Sequence, residues 1–149
     1  MTTEYIAVAP GAAFTGITLE AYGISGDLVV PSLQDVTISN ANDVFTWSQL
    51  NESAKLQLAT TSTNSISTNL VVEELTFFGD ALATANSAAN LGLLGLSVAK
   101  TKCNVELAMG SKTVTCVGYV TGLAPTVSAD SPVWVTPVTI TVSGEYTFA

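Results

Sequence analysis

Near the end of this chain, apolar Val138, Ile140, Val142, Tyr146 and Phe148 alternate with polar Thr139, Thr141, Ser143, Glu145 and Thr147. Successive side chains of a β-strand point to opposite faces, so a period of two with one apolar and one polar row describes a sheet buried on one side and wet on the other. Val138, Ile140 and Val142 are therefore expected to pack on a core, with Phe148 in core or interface. Thr139, Thr141, Ser143 and Glu145 are expected to face solvent. Gly144 interrupts the apolar row and marks a bulge or a close backbone approach. Pro137 has no N–H for a ladder, which places it at an edge or bend.

The rest of the chain has the same texture. Short runs of β-branched and aromatic residues are broken by Gly, Pro, Asn and Asp, as in antiparallel strands joined by turns. Strands are expected near Glu4 to Val8, Ile17 to Tyr22, Val36 to Asn40, Val44 to Trp47, Lys55 to Ala59, Ser65 to Phe78, Cys103 to Met109, Lys112 to Thr121 and Trp134 to Phe148. The stretch from Ala81 to Leu96 differs, being rich in Ala, Leu and Asn with Thr84 as its one β-branched residue. A helix is expected there, capped by Asp80, with Leu82, Ala85, Ala89 and Leu93 on one stripe and its end at Gly92 or Gly95. With 149 residues and no repeat, the chain fits a single domain, 1–149, of mainly antiparallel β architecture: a sandwich or barrel with one flanking α-helix.

Only 11% of the residues are charged while 48% are hydrophobic, and the mean hydropathy is +0.46. So little charge cannot cover a lone domain, which leaves a membrane or other protein as the cover. The uncharged stretch Ala81 to Ala99 is long enough to span a bilayer, but it carries Thr84, Asn86, Ser87, Asn90 and two glycines, so no membrane insertion is expected. The start has acidic Glu4 where a secretory signal has basic residues, so folding in a cytoplasm is expected. Twelve acids against four lysines, with no arginine or histidine, give a net charge of −8. Specific nucleic-acid binding, which draws on Lys and Arg at phosphates, is not expected. Lys100, Lys102 and Lys112 surround one hairpin and read as a solvated or ion-pairing edge more than as a basic patch.

The residues of common catalytic sites are missing. Without histidine there is no Ser-His or Cys-His pair, without arginine no bidentate anion clamp, and no phosphate or dinucleotide fingerprint occurs. Glu73 and Glu74 would point to opposite faces of a strand. Asp27, Asp35 and Asp43, eight apart, match no EF-hand loop and read as turn residues. Cys103 and Cys116 face each other across a hairpin if the turn is Met109-Gly110, whereas a Gly110-Ser111 turn pairs Cys116 with Val105; either way two reduced, apolar thiols are expected. No catalytic residue, metal site or cofactor is expected. Trp47 and Trp134 fit a core or an interface, or alternatively a sugar-stacking platform.

The order of elements resembles the tail tube proteins of tailed bacteriophages. The stretch Thr60 to Asp80, TTSTNSISTNLVVEELTFFGD, followed by an Ala-rich helix, is similar to the family's middle. Val117 to Phe148, VGYVTGLAPTVSADSPVWVTPVTITVSGEYTF, is similar to its closing strand, loop and strand. The resemblance implies a structural virion protein, assembled in the host cytoplasm. Its sheets would close into a homohexameric β-barrel ring, and rings would stack into a tube that conducts DNA without binding it specifically. Thr139, Thr141, Ser143 and Glu145 would then line the lumen. Implied partners are further copies of the chain, tape measure and tail terminator proteins, and a sheath in a contractile tail. Other readings stay open: a monomeric carbohydrate-binding β-sandwich, a secretion-system tube, or another virion part such as a head decoration or terminator protein.

Overall fold

Residues 17–30, 33–109 and 112–149 are described by a computed structural model, and the strand expected at Glu4 to Val8 lies outside them. The described residues form nine strands: β1 (Ile17–Ala21), β2 (Leu28–Val30), β3 (Leu33–Trp47), β4 (Leu56–Val71), β5 (Cys103–Met109), β6 (Lys112–Leu123), β7 (Thr126–Ser128), β8 (Ser131–Val142) and β9 (Thr147–Phe148). All pair antiparallel in one sheet of order β2-β1-β5-β6-β8-β4-β3, with β7 added on β8 and β9 on β6. The two ends of this order, β2 and β3, do not meet. Among the described residues the single subunit therefore holds one mainly antiparallel sheet that is not closed into a barrel.

Alternation sorts the sheet into two faces. Ile17, Leu19 and Ala21 of β1, Cys103, Val105 and Leu107 of β5, Cys116 and Val120 of β6, Val138, Ile140 and Val142 of β8, and Ile66 and Leu70 of β4 are all buried. Two helices among the described residues, α1 (Glu74–Phe78) and α2 (Ala88–Ala99), close this face by adding Phe77, Ala88, Leu93 and Leu96 to the same cluster. Each large aliphatic side chain so buried stabilises the fold by about 1.5–3 kcal/mol.

Two helices replace the one expected, and neither has the expected bounds. The strand expected to reach Phe78 stops at Val71. Glu73 becomes the N-cap of α1 and Glu74 its first turn, both exposed, while Phe77 turns into the core. Residues 81–87 form turns, since Asp80 accepts the Leu82 N–H locally through Oδ1. The cap of α2 is Ser87, whose hydroxyl accepts the Asn90 N–H at 3.2 Å. Leu82 is thus exposed, and Ala88, Leu93 and Leu96 are the buried stripe. Gly92 kinks α2 (φ 69, ψ 177) without ending it, and the helix closes at Lys100 in the left-handed conformation, where the Thr101 N–H reaches the Leu96 carbonyl at 3.1 Å. Gly79 and Gly92 lie backbone against backbone: a Cβ on Gly79 would sit 2.0 Å from the Asn90 oxygen, and one on Gly92 2.4 Å from the Gly79 nitrogen. The two helices pack at a distance that only glycine permits.

Elsewhere strands fuse or break. The four runs expected at Val36 to Asn40, Val44 to Trp47, Lys55 to Ala59 and Ser65 onward are two long strands, β3 and β4, paired from Leu33↔Leu70 to Trp47↔Leu56. The closing strand expected from Trp134 to Phe148, with an irregularity at Gly144, leaves the ladder after Val142, bends at Gly144 (φ 97) and rejoins β6 as β9. Pro137 sits in an interior strand, at the gap between the last β6 pair, Leu123↔Val138, and the first β7 pair, Thr126↔Val135. Its missing donor falls where the ladder on that side is interrupted. The β5–β6 register joins Val105 to Cys116 and Cys103 to Gly118, the alternative in which the thiols are not opposite each other, and both are free and buried.

Candidate functional site

The face of the sheet away from the helices is polar. Registered rows bring together Thr18 and Glu106; Glu106 and Thr115; Tyr119 and Thr141; Thr141 and Ser65; Thr139 and Ser67; and Ser65 and Ser39. Hydroxyls bridge some of these neighbours, with Thr121 Oγ1 and Thr141 Oγ1 2.8 Å apart and Thr121 also donating to the Thr139 carbonyl at 3.3 Å. Near β1 the face is acidic, where Glu20, Asp27 and Glu106, with Thr18, Asn104 and Thr115, line a hollow of about 300 Å³. The Glu20 carboxyl is raised above its ordinary value, first by a hydrogen bond with Asp27, then by the Asp27 charge, slight burial and Glu106. Thr141 and Ser143 are exposed and Thr139 is half-buried on this face. Glu145 is exposed too, but it follows the Gly144 bend and stands outside the β8 ladder.

The β3–β4 pair extends past this body. On β4, β8 pairs only from Asn64 to Val71, so residues 41–47 and 56–63 form a two-stranded arm. Seven or eight strand residues reach about 25 Å. Its ladder is bulged between Asn42 and Val44, where Thr60 Oγ1 donates to the Asp43 carbonyl at 3.2 Å and Thr61 Oγ1 to the Asp43 carboxylate at 2.9 Å. Cross-strand pairs Phe45↔Leu58 and Trp47↔Leu56 put four large apolar side chains on one face of the arm. The rings of Phe45 and Trp47 stack at 5.9 Å, and Phe45 and Leu58 remain 59% and 58% exposed. A two-stranded ribbon is marginal in water, and one that also bares an apolar face favours a covering partner. This face escapes a reading that takes Val44 to Trp47 and Lys55 to Ala59 as separate strands. The signal that finds it is the pair of alternating runs flanking a polar turn.

Trp134 lies at the other end of the same ladder, its carbonyl accepting the Val72 N–H, and it is half exposed beside exposed Val133. Sixteen residues of β4, from Leu56 to Val71, separate it from Trp47, a span of about 50 Å for an extended strand. The two tryptophans lie outside the buried core and too far apart to form one sugar platform; Trp47 is half-buried beside Phe45 on the arm, and Trp134 is exposed at the other end of the sheet. Phe148 in β9 is exposed as well, while Val138, Ile140 and Val142 are buried.

No group of three His, Cys, Asp or Glu side chains able to hold a metal occurs among the described residues. Asp27, Asp35 and Asp43 stand apart, Asp35 accepting the Asn69 side-chain amide at 2.9 Å and Asp43 pinning the bulge. Burial pushes both thiols up to about 11, so neither is a nucleophile near neutral pH. Lys102 sits 4.4 Å over the Tyr22 ring, Lys100 caps α2, and Lys112 opens β6, so the three lysines are dispersed. No helix among the described residues is long and apolar enough to cross a membrane.

Neither a family model nor a curated protein matches this chain. Solved structures do. The fold is similar to a chain in the tail of an empty gene transfer agent particle of C6 symmetry, at 12% identity and a TM-score of 0.69, covering 95% of this chain and 99% of that one. It is similar to the SPP1 tail tube at 8% identity and a TM-score of 0.63, covering 90% of this chain and 76% of that one. It is also similar to a chain of the six-fold symmetrised anti-feeding prophage baseplate, at 12% identity and a TM-score of 0.58, covering 96% and 97%. The fold is therefore that of tail tube chains.

Proposed function

We propose that this chain is the subunit of a phage-type tail tube: six copies close their open sheets into one ring, and rings stack into a conduit for DNA. The observation that carries the reading is the fold shared along nearly the whole of both chains with a component of a C6 tail. The open sheet fits ring closure, because pairing its ends between neighbours removes exposed edges. The arm fits stacking. An apolar face at one end, with Phe45, Trp47, Leu56 and Leu58, and exposed Val133 and Trp134 at the other form a head-to-tail pair of surfaces, and a head-to-tail contact propagates into a filament. Thr139, Thr141 and Ser143, with Ser65, Ser67 and the acids Glu20 and Glu106, line the lumen, and a polar, net-negative wall lets DNA pass without sticking. Partners in this reading are the tape measure and tail terminator proteins, the site of action is the virion tail, and the role is structural, without catalysis or cofactor.

A second reading has an observation of its own, the fold shared with the anti-feeding prophage chain: a tube of the same architecture that carries a different cargo. Negative-stain imaging of the purified full chain tests the assembly, with rings or tubes of six-fold symmetry expected. A chain that stays monomeric at high concentration and neutral pH overturns it. Particles bearing the tube that hold no DNA would favour the second cargo.

A further inference from the structure

The place where the arm leaves the sheet is tied to the C-terminal segment by a small polar network. Asn64 is 2% exposed, a buried amide on β4 at the last residue paired with β8. Its Nδ2 donates to the Gly144 carbonyl at 2.7 Å, and its Oδ1 accepts from Asn40 Nδ2 on the facing strand. One residue further, the Tyr146 hydroxyl reaches the carbonyls of Ser39 and Ser65, at 2.8 and 2.9 Å, which belong to the next facing pair of β3 and β4. The chain reaches these points only because it breaks after Val142: Gly144 bends with φ 97, aiming its carbonyl at Asn64 and letting Tyr146 turn inward against the core. Burial and the neighbouring Cys116 raise the Tyr146 hydroxyl above its ordinary value, so it stays a donor through neutral and mildly alkaline pH.

Neither strand of the arm needs these bonds to pair with the other, since the β3–β4 ladder runs through this point without interruption from Asp35 to Asn42. Their effect is on orientation. Two strands leaving a sheet without a third neighbour are free to twist and swing, and a bond from each strand to one fixed segment removes that freedom. We propose that Asn64 and Tyr146 are positioning residues that set the direction of the arm, making the segment from Ser143 to Tyr146 a brace between the body and the arm. The consequence for stacking rests on the tube reading: a braced arm meets its target in the next ring without losing orientational freedom on binding.

Hydrogen exchange on the unassembled full chain tests this, comparing wild type with Tyr146→Phe, which keeps the ring and removes the hydroxyl. Amides at residues 40–47 and 56–64 are expected to lose protection by roughly fivefold, the effect of one net hydrogen bond, while those of β1 and β5 stay unchanged. Asn64→Asp, which leaves Oδ1 but removes the donor to Gly144, is expected to act on the same amides. Protection lost evenly over the sheet in Tyr146→Phe would mean ordinary structural stabilisation and overturns the inference, as does an unchanged arm. The measurement needs no tube, so a wild-type chain that never assembles refutes the function proposed above and leaves this result to stand or fall separately. Where tubes do form, Tyr146→Phe is expected to give shorter ones.

Discussion

Leu58→Lys separates folding from assembly. In the single subunit Leu58 is 58% exposed, pairs across the arm with Phe45, and belongs to no buried cluster. A surface substitution of this kind changes stability by about 0.5 kcal/mol or less, which for a chain of this length moves the melting temperature by roughly 2 °C. In the proposed tube the same side chain would meet a partner surface. Full burial of a leucine is worth about 1.5–3 kcal/mol, so hiding the exposed 58% contributes about 0.9–1.7 kcal/mol per subunit. Six subunits per ring, as in the proposed tube, would repeat it six times at each ring junction, giving about 5–10 kcal/mol before the cost of desolvating a lysine is added. The expected result is a subunit with wild-type melting that does not elongate. Thermal unfolding by circular dichroism and pelleting with negative-stain imaging read the two halves. Tubes of ordinary length in the variant would show that the arm's apolar face is not an assembly surface, and a melting temperature lowered by 10 °C would show that it belongs to the subunit's own fold.

The sheet was legible in the sequence where one face is buried and the other is wet. Val138, Ile140 and Val142 announce themselves by period two because the core and solvent lie on opposite sides of β8. The arm is legible only as two separate alternations, because what joins them into one ribbon is the ladder between β3 and β4, a non-local pairing that no local pattern encodes. The helical region misleads for a different reason. Ala81 to Leu96 has helical composition throughout, yet Ser87 and Asn90 win as the local cap, and the contact of Gly79 with Gly92 requires a kink that propensity alone does not foresee. Glu73 and Glu74 read as strand residues until the end of the ladder, whose last bond on β4 is from the Val72 N–H to Trp134, frees the chain to turn. Trp47 and Trp134 fall equally well in a core or an interface by residue type. Their position at opposite ends of β4 is a property of the whole sheet.

The buried and polar rows of β8 should respond oppositely to charge. Ile140, 1% exposed, loses about 1.5–3 kcal/mol of burial on mutation to Asp and leaves a buried unpaired charge as well, so Ile140→Asp should yield no soluble folded subunit, as checked by circular dichroism. Thr141→Lys, on the exposed row, should fold and assemble normally but slow DNA delivery from particles, because each ring then repeats a positive charge along the lumen; unaltered delivery would remove β8 from the lumen wall. Alkaline titration supplies the last test, and its sign follows from the two thiols. Burial raises Cys103 and Cys116 from the ordinary 9.0 to about 11, so the folded chain resists the thiolate that the unfolded chain readily forms. Their contribution to stability is complete below pH 9 and drains away as the pH climbs from 9 towards 11. The melting temperature should accordingly fall across that window by more than it does in Cys103→Ala/Cys116→Ala, where Tyr146, also raised by burial, still contributes. Equal falls in both proteins would mean that the thiols meet water in the folded chain, which would contradict the packing of β5 and β6 against the helices.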